Sequence, residues 1–208
     1  SLSRRRVAAF SMVERCKANK MKAVVVDFDG SLYRRNSFED CVLMTLKACF
    51  KRMQLAAFFR IAGWVALRKL RFISHARMKY QLQPILEAHY PAEAFQERLH
   101  KGINKRVWKH CIAFRRDGYH LCLGTAAPLF YMEEIAQSLQ FDSLSATERS
   151  EKPFHEWKEN QGENKRDNCI EILTQAGAEL EWIITDSIDD LPLIMVAPQH
   201  IFVNKDED

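Results

Sequence analysis

Two aspartates stand two residues apart at the end of an apolar run, in the segment Val24-Val25-Val26-Asp27-Phe28-Asp29-Gly30. The β-branched valines predict a strand. Side chains alternate along a strand, so Asp27 and Asp29 should point the same way while Phe28 packs on the other side. Two neighbouring carboxylates are costly unless a cation lies between them or one of them holds a proton. The segment therefore indicates a site suited to phosphoryl transfer.

Three further segments follow in a fixed order, at residues 121–125, 162–165 and 185–193. Apolar runs precede residues 124 and 186, as they precede Asp27. Taken in order, the four segments resemble the four motifs of the haloacid dehalogenase superfamily and cover roughly residues 21–205.

The resemblance implies a role for each motif residue. Asp27 would be the nucleophile that attacks phosphorus and forms an aspartyl-phosphate. Asp29 would protonate the leaving oxygen and later deprotonate the attacking water. Haloacid dehalogenases proper lack this second acid, so its presence favours phosphate esters as substrates. Thr125 and Lys165 would bind the phosphoryl oxygens through a hydroxyl and a cation.

The resemblance also implies a magnesium site. Asp186 would complete it with Asp27 and the backbone carbonyl of Asp29, because oxygen-only ligation suits a hard cation such as Mg²⁺. Asp190 is expected to contact a metal ligand without touching the metal, or to bind the metal through a water molecule. Asp189 stands where the family often has asparagine, which leaves open which of Asp189 and Asp190 approaches the metal. The alternative for these acids, and for Asp189 above all, is a solvated acidic loop.

Strands and helices alternate in the pattern around these motifs. Strands are predicted at residues 21–26, 119–123, 144–147, 182–184 and 201–203, and helices at 128–139 and from 164 to Gly177. Alternating elements predict an α/β fold, a Rossmann-like parallel sheet with helices on both faces. In such sheets sites collect at the carboxyl ends of the strands, where Asp27, Thr125 and Asp186 all fall.

Residues 37–114 interrupt this alternation with a helical pattern. A capping box at Ser37 opens it, and Gly63, Pro84 and Pro91 predict breaks within it. An all-helical insertion at this place resembles the cap of the superfamily's first subclass, which closes over the active site and selects the substrate. The predicted organisation is a basic N-terminal extension at 1–20, a catalytic core at 21–36 and 115–208, and the helical cap at 37–114.

Charge is distributed unevenly along the chain. Residues 41–86 contain nine lysines and arginines and no aspartate or glutamate, although the net charge of the whole chain is only +4. Aromatic residues lie among these cations, a combination that favours an anionic partner. Nucleic acid is not the expected partner, because no recognised nucleic-acid-binding motif accompanies the charge.

Cysteine usage and hydropathy bear on location. The six cysteines form no CxxC pair, which favours reduced thiols and a cytoplasmic protein, and no apolar run reaches the length of a membrane span. Association with a membrane surface through the basic cap is a further expectation.

The leading hypothesis is a Mg²⁺-dependent phosphatase with an aspartyl-phosphate intermediate. The end of the last motif, residues 190–193, resembles the phosphoserine-phosphatase-like branch, and the basic aromatic cap resembles bacterial phosphatidylglycerophosphate phosphatases. A lipid phosphate head group is therefore one candidate substrate. A small soluble ester, such as phosphoserine or a sugar phosphate, is the other, since basic residues can steer any phosphate. A non-catalytic membrane-binding module on the same fold is the rival from another functional class.

Overall fold

A computed structural model describes residues 20–204 of the chain. Five parallel strands form one sheet in the order β3-β2-β1-β4-β5, with β1 at its centre. The strands are β1 (Met21–Asp27), β2 (His120–Pro128), β3 (Ser143–Thr147), β4 (Ala178–Thr185) and β5 (Gln199–Phe202). This architecture confirms the predicted α/β fold class.

Side chains of β1 alternate between two hydrophobic clusters. Val24 and Val26 pack on one face of the sheet with Leu121, and Ala23 and Val25 pack on the other. Helices cover both faces, because a parallel strand at the centre of a sheet is buried on each side. Helices α6 (Leu129–Ser138) and α7 (Glu163–Gln175) lie on opposite faces of the sheet. The short α8 (Leu191–Ile194) packs on the same face as α7.

Five helices lie between β1 and β2. They are α1 (Ser37–Lys51), α2 (Leu55–Lys69), α3 (His75–His89), α4 (Ala92–Lys101) and α5 (Lys105–Arg116), called here the inserted helices. Their buried side chains join the cluster on the Val24 face, and Phe28 stacks there on Tyr33 with ring centroids 5.4 Å apart. Phe28 thus packs away from the aspartates, as its alternation predicts.

Two of the predicted helix breaks are wrong. Gly63 lies inside α2 and Pro84 inside α3, and only Pro91 separates two helices. The chain turns instead at Met53 and Arg71, which adopt positive φ angles of 57° and 63°. The apolar residues around the proline in α3 are buried, namely Leu82, Ile85 and Leu86. That packing compensates for the hydrogen bond that a proline removes from a helix.

The first inserted helix begins differently from the prediction. Its N-cap is Asn36, whose side chain accepts a hydrogen bond from the Glu39 amide, whereas Ser37 is already inside the helix. The hydroxyl of Ser37 is therefore available for another partner, Asp29.

The later elements follow the predicted order with shifted bounds. Strand β2 runs on from the predicted end at residue 123 to Pro128, so Thr125 lies within the strand, and Pro128 is the N-cap of α6. Helix α7 is followed by Gly177, which has a φ of +68°. The predicted N-terminal extension lies outside the described residues except for Lys20.

Within residues 20–204, no helix combines the length and hydropathy needed to cross a bilayer. The cysteines of the same range, Cys41, Cys49, Cys111, Cys122 and Cys169, are buried free thiols.

Candidate active site

The predicted site residues meet at the carboxyl edge of the sheet. Asp27 is the last residue of β1, Thr125 lies near the end of β2, and Asp186 directly follows β4. Because the three strands are parallel neighbours, their ends meet at the same edge. A cavity of about 200 Å³ opens there, and Asp27, Asp29, Thr125 and Lys165 are among the residues that line it.

Asp27 is buried and held from two sides. One carboxylate oxygen accepts a hydrogen bond from the Lys165 ammonium at 2.7 Å, and the other accepts one from the Ser31 hydroxyl at 3.1 Å. Burial raises the pKa of Asp27 to about 6, although the charge of Lys165 acts in the opposite direction. The carboxylate is thus fixed in orientation at the floor of the cavity.

Lys165 connects two acidic side chains. It lies in the first turn of α7, and its ammonium contacts Asp190 at 2.8 Å in addition to Asp27. Burial by itself would lower the pKa of Lys165, but the two carboxylates raise it above its ordinary value. The lysine therefore stays protonated and supplies a fixed positive charge beside Asp27.

Of the two candidate acids in the last motif, Asp190 lies within this cluster. It is buried and also accepts a hydrogen bond from the Thr185 hydroxyl at 2.7 Å. Asp189 is exposed at the cavity rim and accepts a hydrogen bond from Gln161. Asp190 is connected to Asp27 through Lys165, whose ammonium donates to both carboxylates.

Asp186 is linked to Asp27 through Ser31. The Ser31 hydroxyl lies 3.0 Å from a carboxylate oxygen of Asp186 and 3.1 Å from one of Asp27, and it accepts a hydrogen bond from the Asp186 amide. Gly30 permits this approach, because a Cβ atom at residue 30 would lie 2.2 Å from the Asp186 carboxylate. Its φ of +83° also favours glycine.

These oxygens fit a hard cation. The carboxylates of Asp27 and Asp186 both lie within reach of the Ser31 hydroxyl, and carboxylate oxygens are ligands that Mg²⁺ prefers. Within residues 20–204 there is no cluster of three or more histidine, cysteine, aspartate or glutamate side chains suited to a metal. The predicted set contains only two such side chains, Asp27 and Asp186, because its third ligand is a backbone group.

Asp29 is held by the first inserted helix. The backbone amide of Ser37 donates to one of its carboxylate oxygens at 2.7 Å, and the Ser37 hydroxyl donates to the other at 3.0 Å. Burial raises the pKa of Asp29 to about 7, against the lowering effect of these hydrogen bonds. Asp27 and Asp29 thus line the same cavity, as their spacing predicts, but they have separate partners.

Thr125 presents its hydroxyl at the cavity wall. Its oxygen accepts a hydrogen bond from the Ala127 amide at 3.0 Å, which leaves its proton available to an acceptor in the cavity. The buried Asn160 fixes this part of β2, because its side-chain amide donates to the Thr125 carbonyl at 2.9 Å and to Ser145 at 3.0 Å.

Lys79 reaches the cavity from the inserted helices. It is buried on α3, donates to the Ala126 carbonyl at 3.1 Å and forms an ion pair with Glu159 of the loop before α7. Its ammonium also lies 5.3 Å from the ring centroid of Phe38. Lys79 therefore joins the inserted helices to the end of β2 by a hydrogen bond and to the loop before α7 by an ion pair.

Several of these residues are not predicted by the sequence pattern. Ser31 stands in the first motif, two residues after Asp29, and only that position indicates a role in the site. Ser37 fits a helix-capping box, which predicts a role at the start of the helix and not a contact with Asp29. Lys79 and Glu159 carried no signal, because a lysine in a basic block and a glutamate in a polar loop are usually solvent-facing.

Comparison with known proteins identifies the family. The family model described as haloacid dehalogenase-like hydrolase matches residues 24–195, which is most of the chain. A search of curated protein sequences found no match.

Solved structures share the fold at low sequence identity. A protein of unknown function from Bordetella pertussis Tohama I is similar with a TM-score of 0.66 and 18% identity, over 88% of this chain and 90% of that one. A phosphoserine phosphatase in its apo form is similar with a TM-score of 0.56 and 14% identity, over 88% and 86%. A predicted phosphatase from Clostridium acetobutylicum gives 0.54 and 13%, over 90% and 86%. The four motif segments, the parallel sheet and the family match together show that the chain belongs to the haloacid dehalogenase-like hydrolases.

Proposed function

We propose that the chain is a Mg²⁺-dependent phosphatase that hydrolyses a phosphate monoester through an aspartyl-phosphate on Asp27. The observation that carries this proposal is the Asp27 carboxylate itself. It lies at the floor of a cavity, with Lys165 at 2.7 Å and the Thr125 hydroxyl in the same cavity wall. A carboxylate held in this way can attack phosphorus while a fixed cation and a hydroxyl bind the phosphoryl oxygens.

Asp29 supports the same chemistry as acid and base. It lines the cavity two residues from the nucleophile, and its raised pKa of about 7 is suited to proton transfer near neutral pH. In the first step it would give its proton to the leaving oxygen. In the second step it would take a proton from the water that attacks the aspartyl-phosphate.

Asp27, Asp186 and the backbone carbonyl of Asp29 would hold the Mg²⁺, and Asp190 would support them through Lys165. When bound, the cation supplies positive charge that offsets the repulsion between these carboxylates and the phosphate. The Ser31 hydroxyl lies within hydrogen-bond distance of both Asp27 and Asp186 and so holds the two carboxylates near each other.

We further propose that residues 37–114 form a cap that selects the substrate, over a core of residues 21–36 and 115–208. Phe38, His75 and Lys79 line the cavity from this side. The phosphoserine-phosphatase neighbours favour a phosphorylated small molecule, and the resemblance of the last motif to that branch agrees with them.

A lipid phosphate such as phosphatidylglycerophosphate is the substrate that the charge of the cap favours. Nine basic and no acidic residues at 41–86 would attract an anionic lipid surface. A cavity of about 200 Å³ has room for a phosphate and a small part of a head group, so acyl chains would lie outside it. A small soluble ester fits the same cavity, and the two substrate classes are distinguished by experiment.

The test is phosphate release with and without Mg²⁺ from phosphatidylglycerophosphate, phosphatidic acid, phosphoserine, sugar phosphates and nucleotides. Asp27→Asn is the matched control, because it keeps the shape of the side chain and removes the nucleophile. We expect Mg²⁺-dependent release that this variant abolishes. Release from soluble esters alone would keep the mechanism and exclude the lipid substrate, whereas no release from any substrate would favour a non-catalytic binding module.

A further inference from the structure

Helix α2 exposes an apolar face. Leu55, Phe59, Ala66 and Leu70 follow one another at intervals of four, seven and four residues, so they lie on one side of the helix and its C-terminal cap. The side chains of Phe59 and Leu70 are each 66% exposed. Only Ala57 and Ile61 of this helix are buried. The face that carries Leu55, Phe59 and Leu70 is therefore left uncovered by residues 20–204.

Further exposed apolar side chains lie next to α2 along the chain. Phe50 lies in the last turn of α1, Met53 at the turn that precedes α2, and Phe72 at the turn that follows α2, where it is 74% exposed. Phe58 connects α2 to α1, with its ring centroid 6.0 Å from that of Phe50. We call this set the α2 surface; its members are Phe50, Met53, Leu55, Phe59, Leu70 and Phe72. Apolar side chains that cluster in this way on a protein surface mark an interaction site.

Basic side chains border the α2 surface on every element that contributes to it. Lys51 and Arg52 separate Phe50 from Met53, Arg60 follows Phe59, and Lys69 and Arg71 flank Leu70; all five are exposed. No acidic residue occurs between Asp40 and Glu87, so nothing within this stretch neutralises them. An apolar centre with a rim of one charge complements a surface that is negatively charged outside and apolar beneath.

We infer that the α2 surface docks on an anionic lipid bilayer, with its aromatic and aliphatic side chains inserted below the head groups and its basic residues among them. Helix α2 has 15 residues, about 22 Å, which is shorter than the hydrocarbon core of a bilayer. Helix α2 therefore lies in the membrane interface and does not span the bilayer. The inference deepens the proposed function, because it names the surface by which a lipid phosphate would be reached.

The test is sedimentation of the chain with vesicles of phosphatidylglycerol and phosphatidylcholine, and with vesicles of phosphatidylcholine alone. Neither lipid carries a phosphate monoester, so binding is measured without turnover. The variant Phe59→Ser with Phe72→Ser removes two apolar side chains and leaves the net charge unchanged. Phe202→Ser is the matched control, since Phe202 is 54% exposed and lies on β5, outside the α2 surface. Circular dichroism and the melting temperature report whether each variant keeps its fold.

We expect the parent chain and Phe202→Ser to bind the anionic vesicles, and the double variant to bind at least about tenfold more weakly, because burying a phenylalanine contributes that much or more. Replacing Arg60 and Lys69 by glutamine should also weaken binding to the anionic vesicles.

Three results would overturn the inference. The parent chain could fail to bind the anionic vesicles. The double variant could bind as tightly as the parent. The basic residues alone would then account for binding, and another polyanion such as a nucleic acid would be an equally good partner. Sedimentation velocity could show a dimer of the parent that the double variant dissociates, in which case a second copy covers the α2 surface. The proposed function is separate, because Asp27→Asn should lose phosphate release and keep vesicle binding.

Discussion

The Asp186 carboxylate occupies the space in which a side chain at Gly30 would lie. A Cβ atom there would be 2.2 Å from one carboxylate oxygen and 2.6 Å from the carboxyl carbon, and the φ of Gly30 is +83°. The glycine of the first motif is therefore required both for its backbone conformation and for the approach of the last motif to β1.

Gly30→Ala should separate Asp186 from Asp27. We expect a loss of about 1–3 kcal/mol in the free energy of unfolding, because alanine is strained at this φ. We also expect about a hundredfold loss of kcat/KM, since a displacement of about 1 Å in a catalytic site has that effect. Denaturant unfolding and phosphate release measure the two changes. Gly63→Ala is the control, because nothing lies within 4 Å of its Cβ position in α2. It should be neutral or stabilising, and equal effects of the two substitutions would contradict the argument.

Ser31→Ala should weaken Mg²⁺ binding at the proposed metal site. The hydroxyl contacts both Asp27 and Asp186 and accepts a hydrogen bond from the Asp186 amide. Loss of a group that orients metal ligands typically lowers metal affinity about 10–100-fold. Calorimetric titration with Mg²⁺ measures this directly, and the Mg²⁺ dependence of phosphate release should shift by a similar factor. Ser138→Ala, on the exposed end of α6, serves as control. An unchanged Mg²⁺ affinity in Ser31→Ala would show that the serine does not orient the ligands.

Much of the site could be predicted from the sequence because its parts follow strands of one parallel sheet. Once Asp27, Thr125 and Asp186 are each placed after an apolar run, the topology brings them to the same edge. Lys165 could be added only through the family resemblance, since a single lysine near a helix start has no geometric signal of its own.

The remaining residues depend on how the inserted helices pack, which local patterns do not encode. The helix ends at Met53 and Arg71 carry neither glycine nor proline, whereas Gly63 and Pro84 lie within helices that packing maintains. Lys79 reaches the cavity only because α3 crosses above the end of β2. The sequence predicts an anionic partner from the cations and aromatic residues of 41–86, but it does not show which apolar side chains of this block are exposed, because that depends on how α2 packs on its neighbours.

Lys79 and Glu159 should be energetically coupled. Their side chains are 5% and 13% exposed, so each depends on the other for charge compensation. Lys79→Met alone and Glu159→Gln alone should each lower the free energy of unfolding by about 1–3 kcal/mol. The double variant should lose less than the sum of the two. A double-mutant cycle from denaturant unfolding measures the coupling; additive losses would mean that the pair does not join the inserted helices to the sheet.

Asp40 should make the stability of the inserted helices depend on acid pH. Its carboxylate accepts hydrogen bonds from Arg98 at 2.8 Å and from the Tyr33 hydroxyl. Burial alone would raise the pKa of Asp40, but these hydrogen bonds lower it below its ordinary value of 3.8. A lowered pKa in the folded state stabilises the fold above the unfolded-state pKa, and this stabilisation is lost as the pH falls through the folded-state pKa.

Asp40→Asn should therefore lower the free energy of unfolding near pH 7 by about 1–3 kcal/mol. Its curve should converge with that of the parent chain as the pH falls from about 3.8 through the lowered folded-state pKa, below which the parent carboxylate is protonated. Denaturant unfolding across pH 2–7 tests this. Asp117→Asn, at the exposed end of α5, is the control for the removal of one carboxylate. A constant difference between Asp40→Asn and the parent would show that shape and not charge stabilises the contact.

Lys165→Met should be the most damaging substitution in the site, because it leaves Asp27 and Asp190 buried without their shared cation. Removing one partner of a buried ion pair typically costs about 3–5 kcal/mol, as the remaining charge is uncompensated. Phosphate release should be lost as well. Adding Asp190→Asn to Lys165→Met removes one of the two orphaned carboxylates and should restore part of the stability without restoring activity. Melting temperatures and phosphate release of the single and double variants separate the two effects. If Asp190→Asn restored no stability, the contact between Lys165 and Asp190 would not be the source of the loss, and the role of Lys165 would be confined to Asp27 and the phosphate.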